Sequence, residues 1–143
     1  MANGGDEPNA RDIARAIITT LPIETTKGLR EVVTSALPQH LDDDDHSNTI
    51  ARVFQAIRIV VNEEFTALDT FLRQLPDCLK QGGSVAILSF HSGEDRRVKH
   101  HFREGFRSGI YSKIAKDIVR PTFDEIGSNP RAASAKMRWA IRA

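Results

Sequence analysis

Apolar residues recur at three- and four-residue steps through the first third of the chain. Ala10, Ile13, Ala14, Ile17 and Leu21 form one series; Leu29, Val32, Val33, Ala36 and Leu37 form a second. Such steps place side chains on one helix face, so two short helices are predicted. Pro8-Asn9 starts the first and Pro22 stops it; Thr25 or Thr26 caps the second and Pro38 ends it. Residues 50–76 predict the longest helix, with Val53, Ile57, Val60, Val61, Phe65, Leu68, Phe71, Leu72 and Leu75 as its apolar stripe and Pro76 as its end. The pattern then changes. After the Gly82-Gly83 turn, Val85–Phe90 is a short apolar run without alternation, which predicts a strand buried on both faces of a parallel sheet. It stops at His91-Ser92, and Ser92 with Asp95 three residues later reads as a helix N-cap with an acidic partner. Val98, Phe102 and Phe106 supply the buried side of the next helix, and Gly105–Gly109 reads as a loop. Tyr111–Val119 predicts a second strand and Ser134–Ile141 a last one. Between them lie a helical turn begun by Thr122 or Asp124 and a turn at Asn129-Pro130. The fold class is α/β.

Composition adds bounds. A chain of 143 residues, 40% hydrophobic and 27% charged, is an ordinary globular domain able to bury a core. No apolar run is long enough to cross a membrane. The start, Met1-Ala-Asn-Gly-Gly-Asp-Glu-Pro, matches neither a signal peptide nor a basic transit peptide. The single cysteine, Cys78, excludes an intramolecular disulfide, suits a reducing compartment and reads as a small buried hydrophobe near a helix end. The net charge of +1 conceals an asymmetry: residues 1–95 carry eight basic against fifteen acidic side chains, and residues 96–143 twelve against four. A basic half suggests a nucleic-acid-facing surface, and equally a solvated helix face with a basic tail.

Several segments have two readings. The first two helices resemble a helix-turn-helix in spacing, but the outward residues Lys27, Arg30, Glu31, Thr34 and Ser35 lack the cluster that reads bases. Residues 39–48 read as a polar linker. Its Asp42–Asp45 run, flanked by His40 and His46, reads as a solvated acidic loop, because four consecutive residues cannot all converge on one ion. Gln55, Arg58 and Asn62, with Arg52, stack in a row that is either a solvent face or a polar stripe aimed at a site. His100 and His101 point to different sides of a helix, which argues against a shared metal ion. Phe90, His91 and Ser92 stand at the carboxyl end of the buried strand, where open α/β sheets bind ligands.

Three ordered stretches carry a resemblance: 54–64 (Phe-Gln-Ala-Ile-Arg-Ile-Val-Val-Asn-Glu-Glu), 82–96 (through Ser-Phe-His-Ser-Gly-Glu-Asp-Arg) and 129–138 (Asn-Pro-Arg-Ala-Ala-Ser-Ala-Lys-Met-Arg). They resemble the RsmH/MraW family of S-adenosylmethionine-dependent methyltransferases, which act on the N4 amine of a cytosine in small-subunit ribosomal RNA. The resemblance begins near Asn9 and covers about the carboxyl-terminal half of the family's usual length. It implies the C-terminal part of a class I, Rossmann-like methyltransferase sheet plus helices of the family's inserted helical domain. Residues 1–48 would be that helical part with its acidic linker, and residues 49–143 the methyltransferase part. The Val85–Phe90 strand would be the fifth of the sheet, and the last two strands its closing antiparallel pair. By the same resemblance Phe90, His91 and Ser92 lie beside the target base as catalytic residues. Gln55, Arg58 and Asn62 line the same crevice, and Arg96, Arg97, Lys99, Arg131, Lys136 and Arg138 meet RNA phosphates. His91 also has a plainer reading, a capping or packing role at the turn.

The chain departs from the family at Gly93, where Leu is usual, at Ala132-Ala133, where a Ser-Arg pair is usual, and before Phe54, where His-Pro-Ala-Thr is replaced by Ser47-Asn-Thr-Ile-Ala51. The glycine-rich loop that holds the methyl donor is missing, since Gly82-Gly83 precedes a strand instead of joining strand to helix. The cofactor residues are therefore unknown. Three readings follow: a ribosomal RNA methyltransferase that is a portion or needs a partner, a shortened non-catalytic paralogue that binds RNA or ribosomal particles, and a truncated product without independent function. The unpaired edge of the Val85–Phe90 strand predicts self-association or a partner chain. The compartment is expected to be the cytoplasm, or a plastid or mitochondrion if the plant-like wording near the end reflects origin.

Overall fold

The computed structural model describes residues 7–143; the start read above for targeting signals lies, up to residue 6, outside the described residues. The chain divides into two compact units, residues 1–64 and 65–143. It contains six α-helices and a small antiparallel sheet among the described residues. None of these helices is long and apolar enough to cross a membrane.

The first unit is helical. Helix α1 (Ala10–Thr20) and α2 (Thr26–Ser35) form as their periodicity predicts, and Thr25 caps α2 by accepting a hydrogen bond from the Gly28 N–H. The third helix, α3 (Asp43–Val61), starts earlier than predicted. The acidic run is not a linker loop. Asp42 accepts from the Asp45 N–H at 2.7 Å, and Asp43, Asp44 and Asp45 occupy the first turn, where carboxylates favour the unpaired N–H groups and the positive end of the helix dipole. Ile13, Val33, Leu37 and Val53 form the buried centre of this unit. Arg52 donates to Glu7 at 2.9 Å and to Thr49 at 2.8 Å. Burial raises the Glu7 pKa, but the Asn9 N–H and the Arg52 guanidinium outweigh it and hold the carboxyl below its ordinary value.

The long helix predicted over 50–76 is two helices. Helix α3 ends at Val61, Glu63 takes a left-handed φ of 50°, and α4 (Glu64–Gln74) starts anew. A left-handed residue other than glycine costs on the order of 1 kcal/mol. The Glu64 carboxylate accepts hydrogen bonds from Arg58 at 2.7 and 3.1 Å and from Asn62 at 3.4 Å. The break also shifts the stripe: Ile59 is buried, whereas Val60 and Val61 are about 70% exposed. Pro76 lies in a 3₁₀ turn (Leu75–Cys78), and Cys78 is exposed, contrary to the buried role expected of it.

In the second unit three strands, β1 (Ser84–Ser89), β2 (Tyr111–Ile114) and β3 (Lys136–Arg142), form a sheet of order β1-β3-β2 with antiparallel pairing throughout. The expectation of a strand buried on both faces in a parallel sheet is thus corrected. Strand β1 is an edge whose Val85 and Ile87 face a helical core while Ala86 and Leu88 stay exposed. Its partner positions are Val85 to Ala140 and Ile87 to Arg138, so the faces of β1 and β3 match in register. The core joins Leu72 and Leu75 to Val98 and Phe102 of helix α5 (Ser92–Arg107), with Tyr111 and Ala140 from the sheet. The antiparallel pairing of the last two strands is as expected. The second strand is shorter than expected, with a register shift between Tyr111 and Lys113 and a lone bridge from Val119 to Met137. Thr122 caps helix α6 (Phe123–Ser128), and residues 130–134 form a 3₁₀ turn, so the last strand begins at Lys136 and not at Ser134.

Gly105 lies inside α5 and not in a loop. A Cβ there would stand 2.5 Å from the Tyr111 ring, so the helix needs glycine for close approach to the sheet. Gly105→Ala is expected to destabilise the protein by about 1–3 kcal/mol through overpacking. Urea unfolding followed by circular dichroism measures this, and an unchanged midpoint would show that the ring can move aside.

On the same helix, His101 sits edge-on to Tyr111, and its Nε2 is buried without a hydrogen-bond partner. Burial, and to a smaller extent the neighbouring His100, lowers its pKa, partly offset by Asp69. Burial also raises the Tyr111 pKa. A histidine harder to protonate when folded contributes stability above its unfolded pKa, and that contribution is lost as pH falls through about 6.5 and below. Between pH 7.5 and 5.5 the wild type is expected to lose more stability than His101→Gln. Parallel loss in both proteins would remove His101 from the acid response.

Candidate functional site

The turn between β1 and α5 is built by two side chains. His91, not Ser92, is the N-cap: its Nδ1 accepts from the Glu94 N–H at 3.4 Å. Accepting there leaves the ring proton on Nε2, which lies 3.2 Å from Glu94 Oε1. Glu94 Oε2 in turn accepts from the Phe90 N–H at 3.0 Å. The reciprocal bonds satisfy helix-start donors as a capping box does. Ser92 becomes the first helical residue and is exposed. The His91 ring packs 5.9 Å from Phe65, and a Cβ on Gly93 would meet the Phe65 ring at 2.7 Å. The Leu usual in the resembling family would therefore not fit at Gly93 without movement of Phe65.

Phe90 faces differently. It is 52% exposed and lines an open cleft of 510 Å³ with Leu88, Met137, Arg120, Glu125 and Arg131, among others. Asn129 also lines it. The volume suits a small ligand, and an apolar wall with a few polar groups is the usual make-up of a binding pocket. Thr122 accepts from the Glu125 N–H at 3.2 Å and so anchors the helix that presents Glu125. The Val119–Met137 bridge carries Arg120 to the mouth of the cleft. Arg120, Glu125 and Asn129 were not among the residues singled out from sequence. Only the strand register joins them to Phe90, some thirty and more positions earlier.

The predicted phosphate-binding cations separate into two groups. Arg138 is buried at 7% exposure and holds Asp95 in a two-pronged pair at 2.7 and 3.1 Å. Arg97 pairs with Asp69 and lies 4.2 Å over the Phe65 ring. Arg138 is thus an internal tie and not a cation turned to solvent, which corrects the expectation for it, whereas Arg97 is paired at the partly exposed surface. Lys136 is half-buried and donates to the Ser134 carbonyl. Arg96 and Arg131 are exposed, and Lys99 is half-buried. Gln55, Arg58 and Asn62 belong to the first unit, where Arg58 and Asn62 bind Glu64.

The sequence matches the family model of the MraW methylase family over residues 1–143. The chain belongs to that family. It is 47% identical to ribosomal RNA small subunit methyltransferase H 2 of Alkaliphilus metalliredigens, over 100% of this chain and 43% of that protein. It is 44% identical to methyltransferase H 1 of Lachnoclostridium phytofermentans, over 100% of this chain and 41% of that protein. For methyltransferase H of Fervidobacterium nodosum the figures are 46% identity, 98% of this chain and 46% of that protein. This MraW-family chain thus spans less than half the length of the curated relatives it matches.

The Asp95–Arg138 pair supplies a test of the site's frame. Asp95→Ala leaves a buried guanidinium uncompensated and is expected to cost about 3–5 kcal/mol, whereas the double replacement Asp95→Leu/Arg138→Met is expected to cost far less. Denaturant midpoints of both variants measure this, and equal losses would mean that shape rather than charge holds α5 on β3.

Proposed function

We propose that this chain contributes the substrate-base side of N4-methylation of a cytosine in small-subunit ribosomal RNA. The observation that carries this reading is the cleft at Phe90, where an exposed aromatic ring, a carboxylate, an amide and two arginines line one pocket. The names of its methyltransferase H relatives supply the reaction class.

A cytosine amine is a weak nucleophile because its lone pair is delocalised into the ring, and the base must leave its stack to be reached. Phe90 offers a face for the flipped base, with Leu88 and Met137 as apolar support. Glu125 and the Asn129 carbonyl accept hydrogen bonds from the amine, and the Glu125 carboxylate is the group suited to take the proton released on N-methylation. Arg120 and Arg131 hold the flanking phosphates. His91 acts here as a positioning residue, since it caps the turn that presents Phe90.

The described residues do not make a site for S-adenosylmethionine. Gly82 and Gly83 lie before β1, and the His91 ring and the Glu94 carboxylate fill the β1–α5 turn. We assign the donor site to the part of the relatives' length that this chain does not span, with β1 as the fifth strand of a class I sheet and its unpaired edge as the joining edge. A non-catalytic RNA-binding role is the second reading, favoured by the same poor fit to the donor.

Cytidine 5′-monophosphate is expected to bind this chain weakly in calorimetric titration, with affinity reduced about tenfold in Phe90→Ala, as loss of a base–aromatic stack implies. S-adenosylmethionine is expected to give no heat of binding. Nucleotide binding unaffected by Phe90→Ala would sink the cleft assignment. Donor binding by this chain alone would overturn the division of labour.

A further inference from the structure

A second cleft of 510 Å³ opens at the β2 edge of the sheet. Arg103 and Phe106 of α5 line one part of it, Lys113 and Lys116 another, and Trp139 of β3 a third. The charged side chains in this lining are all cations, and no carboxylate is among them. Arg103, Lys113 and Lys116 are exposed and form no ion pair among the described residues. The neighbouring Arg107, by contrast, is tied to Glu104 at 2.7 Å. Phe106 is 49% exposed although the Val98–Phe102 periodicity of its helix predicts a buried ring. The strand order puts this cleft at the opposite edge of the sheet from β1, with β3 between them.

A large exposed aromatic ring beside three cations, in a lining without a carboxylate, is poorly explained by stability. Burial of Phe106 elsewhere would gain free energy, and three clustered cations repel one another. The same combination is what single-stranded nucleic acid binding requires: cations to follow the phosphates and a ring on which any base can stack. An acidic protein segment would satisfy the charge but leave Phe106 without a matching surface.

We propose that this β2-edge cleft is a second RNA-binding surface, which takes a single-stranded segment of RNA flanking the target base without reading its sequence. The proposal rests on the reading of the chain as an RNA-acting protein, but it concerns a different surface from the Phe90 cleft. Phe106 stacks on one base, and Arg103, Lys113 and Lys116 neutralise the adjoining phosphates. Such a surface would keep the RNA on the protein while a base is tried in the other cleft, and it would be indifferent to the identity of the bases it holds.

The probe is a twelve-nucleotide oligouridine labelled with fluorescein, which lacks the exocyclic amine that the Phe90 cleft is proposed to select. Anisotropy titration of the full chain is expected to show binding that weakens as salt rises. Trp139 is the single tryptophan, so quenching of its intrinsic fluorescence by unlabelled oligouridine is a separate readout of occupancy. Phe106→Ala is expected to weaken binding about tenfold, the loss of one stack. Lys113→Gln/Lys116→Gln is expected to reduce the slope of log K against log salt by about 1.4, the share of two phosphates on a single strand. Both variants change exposed side chains, and circular dichroism confirms that they are folded.

No oligouridine binding at low salt would overturn the proposal while leaving the cytidine monophosphate test of the other cleft to stand or fall separately. So would binding lost in Phe90→Ala but unchanged in Phe106→Ala and the lysine double variant. Polyglutamate that displaces the RNA at equal charge and quenches Trp139 equally would assign the cleft to an acidic polymer and likewise overturn it.

Discussion

The buried pair between Asp95 and Arg138 fixes the geometry on which the second unit depends. It ties the first turn of α5 to the centre of β3 by two short bonds in a place where neither charge is well hydrated. Taking two charges out of water costs several kcal/mol each, so such a pair is not in itself a strong source of stability. Its effect is to single out one arrangement. Asp95 also lies where the α5 dipole favours a carboxylate, so the helix start and the strand centre are matched electrostatically as well as sterically. With α5 docked in this one way, the turn before it has one exit direction, and Phe90 is set facing the cleft instead of the core.

The turn then divides three neighbouring residues among three tasks. Phe90 keeps half its surface in solvent, His91 is spent on capping and on the Phe65 ring, and Ser92 enters the helix. Sequence could place all three at a strand tip but could not tell them apart, because a cap is decided by backbone angles at one residue. His91 has extended φ and ψ of −131° and 162°, which makes it the cap and displaces Ser92 by one position. The acidic partner shifts with it, from Asp95 to Glu94, and frees Asp95 to reach Arg138. A one-residue change in the cap thus separates a surface phosphate contact from an internal clamp.

What was legible in sequence was local. The helix faces of α1 and α2 and the short strand after Gly82-Gly83 follow from periodicity and turn residues, whereas the antiparallel pairing of the last two strands was implied only by the family resemblance. What was not legible depended on partners remote in sequence. Nothing in the run Val85–Phe90 reveals that β1 has a neighbour on one side only, and apolar composition alone suggests full burial. The bend at Glu63 comes where Arg58 and Asn62 reach Glu64, which a count of apolar positions does not register. Gly105 looked like a loop residue because glycine commonly is one, yet its role is set by the Tyr111 ring across the helix–sheet contact. Arg120, Glu125 and Asn129 join the Phe90 cleft through a single bridge between Val119 and Met137.

On the proposed reading the two clefts would divide recognition by chemistry. The cleft at Phe90 mixes acceptors with cations, which is what selection of one base by its exocyclic amine demands. The lining of the cleft at the β2 edge holds cations and aromatic rings without a carboxylate, which on the proposed reading suits any base and any stretch of backbone. Strand β3 contributes to both, Met137 to the first and Trp139 to the second. Strand β3 is also paired on both sides and clamped at Arg138, between Met137 and Trp139. On this reading a selective pocket and an unselective one share one strand, which is hydrogen-bonded on both sides. RNA held at the β2 edge would then present its bases at the other cleft from a limited set of distances, and specificity would come from which base can enter rather than from which sequence is held.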